Sequence, residues 1–320
     1  MKVKSFWARL PLMLMAGLLC CALSACSVDD NRGEQGETGG YTFTDSLGRE
    51  VTVNEPQRVV ALMQSFAEVW LLAGGENSLV GVTDDAAAEL ALSPDVAVVG
   101  TFMQPNLEAV MALSPDLVLL SAESSRTDSH LALLETLNAA NIPAAYFGVT
   151  HFEDYLQMLE ICTEITGSSA AYQQNGLDVQ TQIAKIIAED KRLDAPTVLF
   201  CITYSGGVRA QNSATMTGKM LQDLGCRNIV DDYPALLQDF SMEKVVEVDP
   251  DYIFVIPMGN TSAAAEKALQ DTLTADPVWA SLSAVQGGRY FILPQELFLY
   301  KPNENWGESY AYLADLLAEK

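Results

Sequence analysis

The residues best suited to chemistry sit in the stretch Tyr204-Ser-Gly-Gly-Val-Arg-Ala-Gln-Asn212, where a phenol, a guanidinium and a carboxamide surround two glycines. Arg209 can pair with a carboxylate or an anionic metal chelate, Tyr204 can offer a phenolate to ferric iron or a ring for stacking, and the glycines permit close approach. A turn bearing a surface arginine explains the same residues equally well. Other groups cluster where predicted strands end: Met63-Gln64-Ser65, Thr83-Asp84-Asp85 and Thr101-Phe102-Met103. Ligand contacts in α/β sheets come from such carboxyl-end loops. Phe298 to Lys301, ahead of Pro302, forms another candidate rim, in which Tyr300 suits a core as readily as a contact. The chain has only two histidines, His130 and His151. His151 ends a predicted strand, and it or Met63 can ligate haem iron, although a lone histidine more often lies at a surface or a helix cap. No Gly-x-Ser-x-Gly elbow, His-Glu-x-x-His or phosphate-binding Gly-x-x-x-x-Gly-Lys occurs, and no carboxylate pair stands out as acid and base. A binding protein without a cofactor of its own fits better than an enzyme, with a membrane-tethered hydrolase as the catalytic alternative.

The element that must hold these groups in place runs from Gly167 to Arg192. Its apolar residues Tyr172, Leu177, Val179, Ile183, Ile186 and Ile187 recur at helical spacing, interrupted only by Gly176. At 1.5 Å per residue such a helix spans roughly 35 Å. Its two flanks resemble each other. Asn106-Leu-Glu-Ala-Val-Met-Ala-Leu-Ser-Pro-Asp-Leu-Val-Leu-Leu120 matches Ser241-Met-Glu-Lys-Val-Val-Glu-Val-Asp-Pro-Asp-Tyr-Ile-Phe-Val255. Each has a helix N-cap residue, a glutamate two positions on (Glu108, Glu243), a short amphipathic helix, Pro-Asp and a buried strand. Upstream, Arg58–Met63 leads into a helix and then Leu79–Val82, as Thr197–Thr203 leads into a helix and then Asn228–Val230. The expected fold is α/β: two Rossmann-like lobes, each a mainly parallel sheet flanked by helices, bridged by one long helix with a cleft between them. The boundaries are 41–166 for the first lobe, 167–193 for the bridge and 194–320 for the second lobe.

Residues 1–25 carry Lys2, Lys4 and Arg9, no acid, and an apolar run from Leu10 to Leu23 that is short for a membrane span. The run closes on Leu23-Ser-Ala-Cys26, which resembles the lipobox of bacterial lipoproteins, whose cysteine is acylated and becomes the mature N-terminus. A multiply acylated Cys26 would anchor the protein outside the cytoplasm. Residues 26–40 would then be the lipidated cysteine and a flexible acidic tether. Without residues 1–25 the chain has 15 basic and 42 acidic residues, a formal charge of −27. That excludes nucleic acid and anionic lipid surfaces as natural partners, leaving the anchor as the membrane contact. Cys162, Cys201 and Cys226 remain, an odd number; Cys201 and Cys226 can pair or stay as buried thiols.

The body opens with Asp45-Ser-Leu-Gly-Arg-Glu-Val-Thr-Val53, a hairpin pattern, followed by Pro56-Gln-Arg-Val-Val60, Leu72-Ala-Gly-Gly-Glu-Asn-Ser-Leu-Val-Gly-Val82 and Asn106-Leu-Glu-Ala-Val110. This ordered set resembles the substrate-binding lipoproteins of ABC importers for ferric siderophores, haem and cobalamin, over roughly residues 41–320. The resemblance implies a monomer that captures an iron complex or corrinoid between its lobes, ferric siderophore first and haem or cobalamin next. It implies delivery to an ABC permease and its ATPase, with Glu108 and Glu243 docking on permease arginines, and an aromatic contact at Phe102. Zinc and manganese binders of related type draw on more histidines than this chain has. A sensor that docks on a signalling receptor has the same sequence features and is the further alternative.

Overall fold

Short apolar runs bounded by turns become strands whose alternate residues supply opposite faces. In the computed structural model, which describes residues 40–123, 128–189, 194–259 and 262–318, β1 (Tyr41–Thr44) and β2 (Glu50–Val53) form the expected antiparallel hairpin. Asp45 closes its turn by accepting from the backbone N–H groups of Leu47 and Arg49, both at 3.0 Å. There follow β3 (Val59–Ala61), α1 (Gln64–Leu72), β4 (Leu79–Val82), α2 (Asp84–Glu89), β5 (Ala97–Val98), α3 (Leu107–Ala112), β6 (Leu117–Ser121), α4 (Asp128–Ala139), β7 (Ala144–Phe147) and α5 (Phe152–Thr166). Strands β3 to β7 make a parallel sheet in the order β5-β4-β3-β6-β7.

The bridge is α6 (Ser169–Tyr172), a π-helical turn Gln173–Leu177, and α7 (Asp178–Glu189). It differs from the single regular helix expected. Gly167, with φ 73°, is the left-handed cap that ends α5, so the bridge starts after it. The widened turn carries Gly176, where an added Cβ would lie 2.8 Å from the Leu156 side chain. Here the backbone itself packs on α5. The last residues of the predicted bridge, 190–193, lie outside the described residues, as do the signal segment, Cys26 and the tether.

The second half comprises β8 (Thr197–Tyr204), β9 (Gly207–Gln211), α8 (Met216–Asp223), β10 (Arg227–Asn228), α9 (Ile229–Asp232), α10 (Met242–Val248), β11 (Tyr252–Pro257), α11 (Ser262–Leu269), α12 (Ser283–Gln286), β12 (Tyr290–Ile292), α13 (Gln295–Phe298) and α14 (Trp306–Ala318). Its sheet has the order β10-β8-β11-β12, and the first strand pairs with the post-Pro-Asp strand, as β3 pairs with β6. The Pro-Asp repeat has a physical purpose. Asp116 accepts from the N–H groups of Gln57 and Arg58 at 2.8 Å, and Asp251 accepts from Thr197 N–H at 2.8 Å, so each clamps the entry to the neighbouring central strand. The residue before each proline, Ser114 and Asp249, adopts left-handed φ values of 47° and 48°. Two details depart from expectation. Asn228–Val230 is not a strand like β4, because β10 ends at Asn228 and its side chain caps α9. Tyr204–Asn212 is not an open loop, because β9 returns antiparallel along β8.

One apolar cluster includes Val59, Leu117 and Phe147 of the first sheet, Val179 and Ile183 of the bridge, Val198, Phe200 and Phe254 of the second sheet, and Trp306 and Leu313. The opposite faces have clusters of their own. Cys201 and Cys226 belong to different clusters and no disulfide joins them.

Where the halves meet, the buried Asn303 donates to the Ser65 carbonyl at 3.1 Å and to the Glu68 carboxylate. Glu304 lies beside Glu68, and Trp306 stacks edge-on against Phe152 at 5.9 Å. Burial raises the pKa of Glu68, with the charge of Glu304 adding to it and the Asn303 bond opposing; burial raises Glu304 as well. A carboxyl whose folded-state pKa is raised binds its proton more tightly in the native state. Its contribution to stability is complete below the unfolded value of roughly 4.3 and lost as pH climbs through the native one. Glu68→Gln keeps an acceptor for Asn303 and removes the charge. At pH 7.5 it should raise the melting temperature by roughly 2 °C, with the gap to wild type closing as pH falls towards 4. Melting curves from pH 4 to 8 check this, and a gap that stays constant would refute it.

Candidate functional site

The carboxyl edges of the two sheets converge. The segment after β3 (Met63 to Ser65) and the end of β6 (Glu123) come from the first half; Tyr300 to Asn303, beyond α13, come from the second. Ser65 is bonded by Asn303, and the Lys301 ammonium pairs with the Glu123 carboxylate, so the chain after α13 crosses to the first half twice. These contacts form the floor between the lobes.

On the first-lobe side, Met63 is the N-cap of α1 but provides no side-chain cap, which leaves first-turn N–H groups uncapped at the cleft edge. Gln64 is half-buried, Ser65 is buried, and Asp84 is exposed at the start of α2. Phe102 is half-buried and Met103 stands 55 % exposed. The Phe102 ring tilts against His130 at 5.0 Å between centroids. His130 is fully buried: its Nε2 donates to the Phe102 carbonyl at 2.9 Å while its Nδ1 accepts from Ser121 N–H at 3.1 Å. Burial lowers its pKa, and that bonding needs only one ring proton, so it is a neutral post that fixes Phe102. Sequence reasoning left this histidine without a role, because its partners come from β6 and the loop after β5. His151 is the N-cap of α5, four residues beyond β7 rather than the end of the strand, and its Nδ1 lies 3.8 Å from Asp154.

On the second-lobe side, the β8–β9 hairpin turns at Tyr204 to Gly207, with Gly207 at φ 141°. Arg209 is exposed, and its guanidinium lies 5.3 Å from the Tyr204 ring centroid. Among the described residues it meets no carboxylate in an ion pair. The ring holds the cation without neutralising it. Asn212 serves the turn into α8: its side-chain oxygen accepts from Ala214 N–H at 3.2 Å. Tyr300 is 58 % exposed, a rim residue and not part of the core. Lys301, at 13 % side-chain exposure, is committed to Glu123. Glu123 and Asn303 join the floor between the lobes and were not singled out in the sequence, because no local pattern marks a contact between distant segments.

Glu108 and Glu243 are both exposed in the first turns of α3 and α10. Asn106 accepts from Ala109 N–H at 3.1 Å and Ser241 from Lys244 N–H at 3.3 Å, so the two caps are equivalent. Each helix precedes a parallel central strand and runs back against it, which places its N-terminus at the carboxyl edge of its sheet. The glutamates therefore sit at corresponding positions on the two lobes, on the cleft side.

This architecture agrees with the comparisons to known proteins. The chain is 24 % identical over 285 residues to the Fe(3+)-citrate-binding protein YfmC of Bacillus subtilis, covering 86 % of this chain and 85 % of that protein. It is 27 % identical over 253 residues to the Fe(3+) dicitrate-binding periplasmic protein FecB of Escherichia coli, covering 77 % and 79 %. The haem complex of Staphylococcus aureus IsdE superposes with a TM-score of 0.66 at 18 % identity, covering 82 % of this chain and 98 % of that one, and shares the two-lobed fold. The profile of the periplasmic binding protein family matches residues 59–297, three-quarters of the sequence. With its paired parallel sheets, bridging helix and converging carboxyl edges, the chain belongs to the periplasmic binding protein family.

Proposed function

We propose that this protein is an extracytoplasmic solute-binding lipoprotein, anchored through Cys26, that captures a ferric chelate between its lobes and passes it to an ABC permease. The observation that carries the reading is the exposed Arg209, held on Tyr204 at the carboxyl edge of a sheet that meets a second sheet's carboxyl edge. An uncompensated guanidinium fits the carboxylates of an anionic chelate bidentately. Phe102 and Tyr300 supply aromatic surface at the rim. The ferric-citrate relatives favour an iron complex over a corrinoid. Glu108 and Glu243 supply a two-point acidic register for a basic permease surface, and their cleft-side placement lets the cargo face the permease during docking.

The described residues belong to one compact unit, so the chain from residue 27 is suited to titration. Ferric citrate and ferric siderophores should bind saturably at micromolar or tighter concentrations, read by tryptophan fluorescence and by the visible spectrum. Arg209→Ala should weaken that binding by roughly tenfold, the loss of one charge-assisted contact. Binding of cyanocobalamin or haem with no affinity for ferric chelates would overturn the cargo.

Docking has its own test. The double variant Glu108→Arg/Glu243→Arg should keep its ligand affinity and lose at least roughly tenfold of permease-dependent uptake in reconstituted vesicles, since rim charges govern encounter. Full uptake by the variant would remove both glutamates from the permease interface.

A further inference from the structure

The second half carries two cations in different states, one on the β8–β9 hairpin and one after α13. Arg209 is exposed and stands on an aromatic ring. Lys301 is largely withdrawn from water and bound to Glu123, whose side chain is 27 % exposed, at the carboxyl end of β6. Arg209 is therefore available to any anion, whereas an anion that approaches Lys301 competes with the carboxylate already held there. Splitting a largely desolvated ion pair is costly, because it strands a charge in a poorly hydrated place. An incoming carboxylate repays that cost by taking over the ammonium. A neutral ligand repays nothing. The pair also links the two lobes, so its exchange removes one tie from the chain after α13, while Asn303 and Trp306 keep others.

We propose that Glu123 is a specificity residue that gates Lys301: it neutralises the lysine in the ligand-free cleft and must be displaced before a carboxylate-bearing ferric chelate gains its second cationic contact. The proposal rests on the ferric-chelate reading. It makes Glu123 an internal competitor that mimics the ligand's carboxylate, keeps stray small anions off the floor, and leaves discrimination to ligands with enough carboxylates to engage Arg209 and Lys301 together. A bridge with only a structural purpose predicts the opposite behaviour on mutation, namely lost stability and no gain in affinity.

The test titrates residues 27–320, as wild type, Glu123→Gln and Glu123→Gln/Lys301→Gln, with ferric citrate and with cyanocobalamin. Removing the competitor should tighten ferric citrate by roughly tenfold, the gain from one uncontested charge contact. The double variant should bind ferric citrate more weakly than wild type, and affinity for cyanocobalamin should not rise in either. Wild type and Glu123→Gln binding ferric citrate equally, with equal melting temperatures, would overturn the gate and leave the ferric reading intact. No binding of ferric citrate by any of the three would overturn both. If Glu123→Gln melts low, the double variant decides: affinity equal to wild type overturns the gate, because Lys301 then makes no contact with the chelate.

Discussion

The structure depends on one apolar cluster that does not stop at the lobe boundary. Two sheets with separate cores, joined by a linker, hinge freely by default. Here inward residues of both sheets, Val179 and Ile183 of the bridge, and Trp306 and Phe298 all belong to one connected cluster. Opening the cleft widely would expose this surface to water, at about 25 cal/mol for each Å² of apolar area. The bridge is also held by polar bonds to the first half: Asn175 donates to the Leu72 carbonyl at 3.1 Å and accepts from the Tyr155 hydroxyl at 2.9 Å through its own carbonyl. On the other side Gly307 lets α14 approach so closely that an added Cβ would lie 2.3 Å from the Gln182 side chain. The bridge is thus tied to both halves, by its apolar face and by these close contacts.

Against that rigidity, the polar floor is the adjustable part. Glu68 and Glu304 face each other across the lobes, with Asn303 bonded to one of them and the Tyr155 phenol within their field. Two half-buried carboxylates of like charge oppose the apolar cluster that closes the same interface. A little farther along, an opposite-sign pair, Lys301 and Glu123, draws the lobes together. The balance between the two is local and electrostatic, set by charge and protonation and not by the packed helices behind it.

The fold was legible because its signals are local and occur twice. The caps at Asn106 and Ser241, the glutamates that follow them and the two Pro-Asp steps lie within single segments, and their repetition implied two similar sheets. What Pro-Asp does was not legible: Asp116 and Asp251 clamp the strand entries from a distance in sequence. The return strand β9 was hidden because Gly206-Gly207 reads as a loop breaker and as a tight hairpin turn alike. The π-helical turn was hidden because helical periodicity reports which face is apolar and not how wide a turn is. Around the candidate site, the exposure of groups near strand ends, such as Arg209, was legible. Asn303 and Glu123 were not, because their roles arise only when distant segments meet.

A scaffold that resists hinging constrains how its ligand can be recognised. A freely closing protein can wrap its cargo and gain specificity from the closed shape, whereas a rigid one must read cargo with side chains already in place. That shifts the selective burden to a few rim groups, and here each has a support of its own. Phe102 rests on a neutral, doubly bonded His130, and Arg209 rests on Tyr204. Lys301 is held by Glu123. The supports differ in chemistry because the groups differ: an aromatic plane is fixed by packing, an exposed cation is oriented by a ring that does not neutralise it, and a half-buried cation carries a counter-charge.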